Sequence, residues 1–321
     1  MLKRFFMNML SSFVGAWIAL VLFGVVAVLV AVGIVAKLGA SSGVSTNVSK
    51  GSVLTIELSG VIEERETPLD IDYISLMRRD ISRPQTLENL VMAIREAKAN
   101  NNISAIYLKC GGVSAGLATL NALREEIKAF RESGKPVIAY GDYYSSGDYF
   151  VATAANHLYM NPAGQIALQG IGGTSLYLKG LFDKIGVTFQ VVKVGTYKSA
   201  VEPYILTEMS QPARAQLDTL YSNMWRYIRE TISDGRADKV SAAAIDTLVS
   251  RDFIFLKSGK EVEKTGLVDK LLYERKMDEQ IASILGKDVK KLNFVEPSVL
   301  VDPAELASAL SSKRQIAVVY A

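Results

Sequence analysis

The spacing of hydrophobic positions changes several times along this chain, and each change marks an element. From Phe13 to Ala36 there is no polar spacing at all: "FVGAWIALVLFGVVAVLVAVGIVA" runs 24 residues without a charge. As a helix rising 1.5 Å per residue it exceeds a hydrocarbon core of ~30 Å. It is too long for the apolar region of a cleaved signal peptide, and no clear A-x-A site follows. The pattern predicts a transmembrane anchor over 13–36 behind a short N-terminus at 1–12. Over 37–52 the periodicity disappears, and "LGASSGVSTNVSKGS" reads as a flexible linker.

From there strand-like and helix-like patterns alternate. "SVLTIELSGVI" (52–62) alternates and is rich in β-branched residues, which predicts a strand. Leu87, Leu90, Val91, Ile94 and Ala97 fall on one helical face. "ISAIYLKC" (103–110) reads as a buried strand ending at Gly111–Gly112, and Leu117, Leu120, Leu123, Ile127 and Phe130 mark the next helix. "PVIAYGD" (136–142), "HLYMNP", "GQIALQGIGG" and "VTFQVVKV" (187–194) follow as strand-like runs. A long helix opens at Ser210 with Pro212 in its first turn, carrying Leu217, Leu220, Met224 and Ile228. A second starts near Ser241, and 257–271 reads as helix, glycine turn and strand. Strands and helices taking turns predict an α/β fold with a largely parallel sheet. "RQIAVVYA" (314–321) echoes "GSVLTIELSG", so 53–313 is expected to be a first repeat with a helical insertion near 210–250, and 314–321 the first strand of a second.

Charge and composition remove several function classes. The 36 basic and 33 acidic residues leave a net +3 with no basic tract, so nucleic acid is not an expected partner. One cysteine, Cys110, excludes an intramolecular disulfide and a multi-cysteine metal site. One histidine, His157, excludes a multi-histidine site and leaves a single imidazole for any Ser/His/Asp triad. Neither a metal nor an organic cofactor is implied. Lys3 and Arg4 precede the apolar span while Lys37 alone follows it closely, which favours a cytoplasmic N-terminus and the bulk of the chain across the membrane.

Hydroxyl chemistry in such a chain needs another base. "VGTYKSAVEPY" (194–204) places Lys198 among small and apolar neighbours. Its amine serves as a base when burial penalises the ammonium, and a fall from ~10.4 to ~7 needs ~5 kcal/mol. The plainer reading is a solvated lysine in a loop. Nucleophile candidates are Ser145 and Ser146 in "YYSSGDYF", where a strand passes into a helix, although Ser-Gly pairs are also ordinary turn and cap residues. Oxyanion donors would come from Gly111 and Gly112 or from Gly170 and Gly172 in "GIGG", each of which also reads as a tight turn. The glycine pairs lack the spacing of a phosphate loop.

"VGTYKSAVEPY", "GKPVIAY", "YSSGDYFVATAANHLYMNP" and "GLVD" (266–269) together resemble the signal peptide peptidase A family, the S49 serine proteases of bacterial membranes, in the N-terminal half of its long tandem-repeat form. The resemblance implies a ClpP/crotonase-like fold of repeated ββα units and a Ser–Lys dyad. It also implies a single-pass inner-membrane protein with its soluble part in the periplasm, assembled as a homo-oligomeric ring. The activity implied is that of a serine endopeptidase degrading apolar remnant signal peptides. Lys198 matches the family's general base, and Tyr197 or Ser199 would orient its amine. In the long form the nucleophile lies in the second repeat, which here would begin near Gln315. Ser146, 52 positions before Lys198, matches the nucleophile's place in short members, but Asp148 stands where they have glycine and Ser145 where they have alanine. "KCGGVSAG" also lacks the proline of the family's oxyanion loop. Three readings therefore stay open: a half-site donating Lys198, a complete Ser146–Lys198 dyad, and a non-catalytic scaffold or binding repeat. The same fold class includes acyl-CoA enzymes, against which the apolar span weighs.

Overall fold

A computed structural model describes residues 13–26, 47–65 and 85–301. The chain divides between Thr46 and Asn47 into two compact units. In the first, residues 13–26 form a helix, α1, with Phe13, Trp17, Leu20 and Phe23 exposed. Among the described residues no helix is long and apolar enough to cross a membrane. Residues 27–36 of the expected anchor lie outside the described residues, as does the candidate strand at 314–321.

The second unit is built on long strands each followed by a helix. β1 (Ser52–Glu63), β3 (Ile103–Ser114), β4 (Val137–Ser145) and β5 (His157–Ala167) form the body of a parallel sheet. Short strands β2 (Gln85–Thr86), β6 (Lys270–Leu271) and β7 (Phe294–Val295) complete it, in the order β2-β1-β3-β4-β5-β6 with β7 also on β1. Every pairing among the described residues is parallel. Such a sheet must be covered on both faces, and the alternation within the strands shows it is. Leu54, Ile56, Leu58, Ile106 and Leu108 point into one core with α2 (Leu87–Ala99) and α3 (Leu117–Arg131). Val53, Ala105, Tyr107, Ile138 and Tyr140 point into the other. Each fully buried large side chain, such as Phe130 or Ile94, contributes roughly 1.5–3 kcal/mol.

The strands do not stop where the sequence suggests. β3 was expected to end at Gly111–Gly112; instead it bulges there and runs on to Ser114. Leu58 pairs with Cys110 but Gly60 with Val113, so one extra residue is accommodated. Gly112 takes φ +94°, a conformation glycine adopts without Cβ strain, and so the chain kinks without breaking. "HLYMNP" and "GQIALQ" are likewise two halves of one strand, β5: Gly141 pairs with Met160 and Tyr143 with Gln165, the residues between looping out. The long strands thus carry two segments joined at an irregularity before the next helix.

One predicted strand does not form. Residues 187–194 carry no strand pairing, and Val192 and Val194 are 98% and 87% exposed. Alternation marks a segment that fits a pleated surface, but a strand needs an edge to pair with, and this segment has none within the described chain. Two short helices around it were not expected, while the two that open at Ser210 and Ser241 were. α5 (Lys179–Lys184) and α6 (Glu202–Ile205) flank the irregular arm, followed by α7 (Gln211–Arg236), capped by Ser210, and α8 (Ala242–Ser250), capped by Ser241. Only Ala213, Ile232 and Arg236 of α7 are buried. The expected face of Leu217, Leu220, Met224 and Ile228 is half-buried at best, with Leu220 half exposed. α9 (Gly259–Lys264) and α10 (Met277–Leu285) close the unit, Met277 and Ile281 covering the second core.

Candidate functional site

The carboxyl ends of parallel strands are where open α/β sheets place their chemistry. Here the end of β4 passes directly into α4 (Ser146–Ala152), with Ser145 as its cap. Tyr144 and Tyr149 flank this junction fully buried, ring centroids 6.0 Å apart edge to face, and their hydroxyls donate to the Tyr159 and Leu267 carbonyls, both at 2.7 Å. Burial pushes both phenols above their ordinary range, so they act as neutral donors. Gly147 fits because a Cβ would lie 3.1 Å from Leu120 Cδ1 and 3.4 Å from Val113 Cγ1. The turn is rigidly seated.

Ser145 and Ser146, the nucleophile candidates, are both engaged. Ser145 Oγ accepts the Asp148 N–H at 3.1 Å and donates to the Asp148 carboxylate at 2.6 Å, forming a reciprocal cap. Ser146 Oγ donates to the Ala167 carbonyl at 2.9 Å and accepts the Gln169 N–H at 3.3 Å. It ties the end of β5 to the start of α4.

Asp148 is fully buried. Its carboxylate accepts the N–H groups of Gly112, Val113 and Ser145 at 3.1, 3.1 and 3.0 Å, besides the Ser145 hydroxyl. Burial raises its pKa, against the pull of these hydrogen bonds. Of the expected oxyanion donors, Gly112 therefore lies in the site with its N–H already used. Gly111 is exposed beside it, where a Cβ would meet Ser59 Cβ at 3.5 Å. Gly170 and Gly172 are exposed and line a different feature, a cleft of about 360 Å³ with Met209, Leu217, Tyr221 and Trp225.

Lys198 sits on the arm between α5 and α6, and it is exposed. Burial of its amine, the premise of the sequence argument for a base, is not provided by the described residues. Its loop is nevertheless ordered. Gly195 turns at φ +102°, the Lys198 N–H donates to the Gly195 carbonyl at 3.3 Å, and Phe182, Phe189 and Tyr204 pack their rings together at 4.7–6.2 Å. Neighbouring Tyr197 is 62% exposed and Ser199 half-buried, its carbonyl accepting the Glu202 N–H at 3.0 Å.

Two participants went unrecognised in the sequence. Glu202, inside the quoted motif, is 2% exposed, and Ser210 holds its carboxylate. Val113 supplies an N–H that no residue-type argument exposes, because backbone donors carry no signature. His157 opens β5 at the opposite strand end from Ser146, half-buried and stacked on Tyr159 at 6.2 Å. Burial lowers its pKa. Among the described residues no group of acidic, histidine or cysteine side chains could hold a metal ion.

The profile of "Peptidase family S49" matches residues 129–287, a span that includes Ser146, Asp148 and Lys198. "Protease 4" of Salmonella typhi is 36% identical over 223 residues, 67% of this chain and 35% of that protein. "Protease 4" of Haemophilus influenzae is 30% identical over 273 residues, 82% of this chain and 44% of that protein. The chain thus spans less than half the length of these relatives. Among solved structures, a variant of the 1510-N membrane-bound stomatin-specific protease aligns with a TM-score of 0.42 and 11% identity, covering 79% of this chain and 98% of its own. An enoyl-CoA hydratase/isomerase family member gives 0.36 and 15%, covering 73% and 71%.

Proposed function

The chain belongs to peptidase family S49, and on that premise we propose that it is the base-donating repeat of a membrane-anchored serine endopeptidase acting on apolar peptides such as remnant signal peptides. The observation that carries this reading is the divergent state of the two dyad candidates. Ser146 Oγ is spent on the Ala167 carbonyl, whereas Lys198 stands exposed on an ordered arm with apolar neighbours equally exposed. A lysine amine in water is charged and no base. The same amine covered by a second apolar surface loses its charge preference.

In the reaction, the neutral Lys198 amine takes the proton of a serine hydroxyl contributed by a second repeat as that oxygen attacks the peptide carbonyl. Backbone N–H groups near that serine hold the oxyanion. The ammonium then returns the proton to the leaving amine, and water releases the acyl group by the same exchange. Leu176, Leu181, Ile185, Val192, Val194 and Tyr197, exposed between 54% and 98%, support an assembly that covers this arm, as in a ring of copies. The exposed apolar side chains of α1 and the uncharged run continuing to Ala36 support an inner-membrane anchor with the larger unit on the periplasmic side.

The test is hydrolysis of a fluorogenic apolar peptide by the full-length membrane protein. Lys198→Ala abolishes turnover, while Ser146→Ala retains it. Loss of turnover on Ser146→Ala, with the protein still folded, would move the nucleophile into this repeat. Full activity of Lys198→Ala would reduce the repeat to a scaffold.

A further inference from the structure

We propose that Asp148 is a built-in anion occupying a carboxylate-binding site made by the β3 bulge, and that this occupancy is what closes the Ser146 corner to an external anion. The bulge supplies the site. In a regular parallel ladder the Gly112 and Val113 N–H groups would be paired within or exposed along the sheet. The register change between Leu58↔Cys110 and Gly60↔Val113, together with the positive φ of Gly112, turns both toward α4. Consecutive N–H groups turned to one side form an anion cradle.

The fit is to a carboxylate in particular. Val113 N–H meets one Asp148 oxygen at 3.1 Å and Gly112 N–H meets the other at 3.1 Å, one donor to each prong. The second oxygen also accepts the Ser145 N–H and the Ser145 hydroxyl. Two of the four donors come from β3 and two from Ser145, the capping residue at the end of β4, and they converge on a carboxyl that is fully buried. A substrate oxyanion approaching these N–H groups would meet a filled, negatively charged site. Asp148 thereby fixes the corner in place while denying it to substrate, which accounts for an ordered strand-to-helix turn whose serine is used as a structural link. The inference concerns stability and anion binding at β3. It stands whether or not Lys198 is the base.

The experiment is chemical rescue, read by thermal unfolding of the full chain without any peptidase assay. Asp148→Ala lowers the unfolding midpoint by about 5 °C or more, given that four hydrogen bonds to a charged group are lost. Sodium formate or acetate then restores much of that loss with a saturable dose dependence, while sodium chloride at equal ionic strength does not and the wild-type midpoint does not move. A folded Asp148→Ala protein that formate leaves unchanged, or that chloride rescues equally, overturns the proposal. If Asp148→Ala folds only with formate present, the proposal is upheld. If it folds under neither condition, Asp148→Asn decides. That variant keeps the shape but turns an amide NH2 toward the donors, so it unfolds below wild type and gains nothing from formate. An Asn variant as stable as wild type would show that no anion is needed there.

Discussion

Glu202 and Ser210 are joined by two hydrogen bonds, the Ser210 hydroxyl donating to one carboxylate oxygen at 2.7 Å and the Ser210 N–H to the other at 3.2 Å. Ser210 is also the cap of α7, accepting the Ala213 N–H at 3.3 Å. Four residues past Lys198, this pair ties the arm to the start of a 26-residue helix. Lys193 Nζ lies 3.9 Å from the same carboxylate, on the other side of Lys198 in sequence. Glu202 thus ties the arm on both sides of Lys198, the proposed base.

Replacing Glu202 by Gln keeps the shape and removes the charge. With Lys198 as the proposed base, the expected outcome in the full-length protein is a fall in kcat on the order of tenfold, because small displacements of a catalytic group are costly, with KM little changed. A merely structural Glu202 would instead lower the unfolding midpoint and leave kcat per folded molecule intact. The Ser210 hydroxyl bond holds the Glu202 pKa below its ordinary value, so the tie is complete above the usual ~4.3 and is lost as pH falls through the lowered value. Acid loss of activity should therefore begin at higher pH in a Ser210→Ala protein, which raises that value.

Arg236 and Asp269 make the strongest test of the body. The Arg236 side chain is 2% exposed and donates to Asp269 at 2.5 Å and to the Gly266 carbonyl at 2.9 Å, while Asp269 also accepts the Leu158 N–H at 2.8 Å. Burial works to raise the Asp269 pKa, but Arg236, Lys239 and the Leu158 N–H outweigh it and hold the group low. Asp269→Asn strands a buried guanidinium and costs about 3–5 kcal/mol in urea unfolding. The linkage has a definite sign. The contribution is full above the unfolded value of ~3.9 and disappears as pH falls through the lowered folded value, so wild type and variant converge in strong acid.

The parallel α/β sheet was legible because buried parallel strands are continuous apolar runs and their helices carry clear faces. Leu90, Ile94 and Ala97, or Leu123, Ile127 and Phe130, could be placed before any coordinates. What the residue pattern misjudged was pairing. Gly111–Gly112 reads as a stop, yet it is a bulge, since a glycine pair permits both and only the neighbouring strand decides. "VTFQVVKV" reads as a strand, yet lacks an edge. Asp148 was visible as a departure beside Ser146, but its partners are backbone N–H groups of a strand 35 residues earlier, which no side-chain pattern reveals. Lys198 was singled out by its motif alone; its exposure follows from the absence of any covering element in the described chain.

Gly112→Ala tests the bulge directly. At φ +94° a Cβ is strained, although the position is spacious, with nothing within 4 Å of the built Cβ. The expected cost is therefore conformational alone, about 1–3 kcal/mol by chemical denaturation. A neutral result would mean that the bulge relaxes and that Asp148 keeps its donors by another route.

Gly235 offers a case where helix propensity and packing give opposite signs. It lies in the last turn of α7, where alanine would ordinarily stabilise a helix by up to about 1 kcal/mol. Here a Cβ would overlap the Thr153 carbonyl oxygen and come within 2.9 Å of Thr153 Cβ and 3.0 Å of Arg124 Nη2. Thr153 is fully buried backbone at the end of α4, and Arg124, 3% exposed, donates to the Thr231 carbonyl at 3.0 Å. The Thr153 carbonyl is backbone and cannot yield, while the Arg124 tip is held by its bond to Thr231. Overpacking of this kind costs about 1–3 kcal/mol and outweighs the propensity gain. Gly235→Ala should thus lower the denaturation midpoint, and the loss should shrink when Arg124→Ala is added, because the double variant removes one of the two colliding neighbours. Additive losses would place the whole collision on the Thr153 carbonyl, and a stabilised single variant would show that α7 is free to move away from α4.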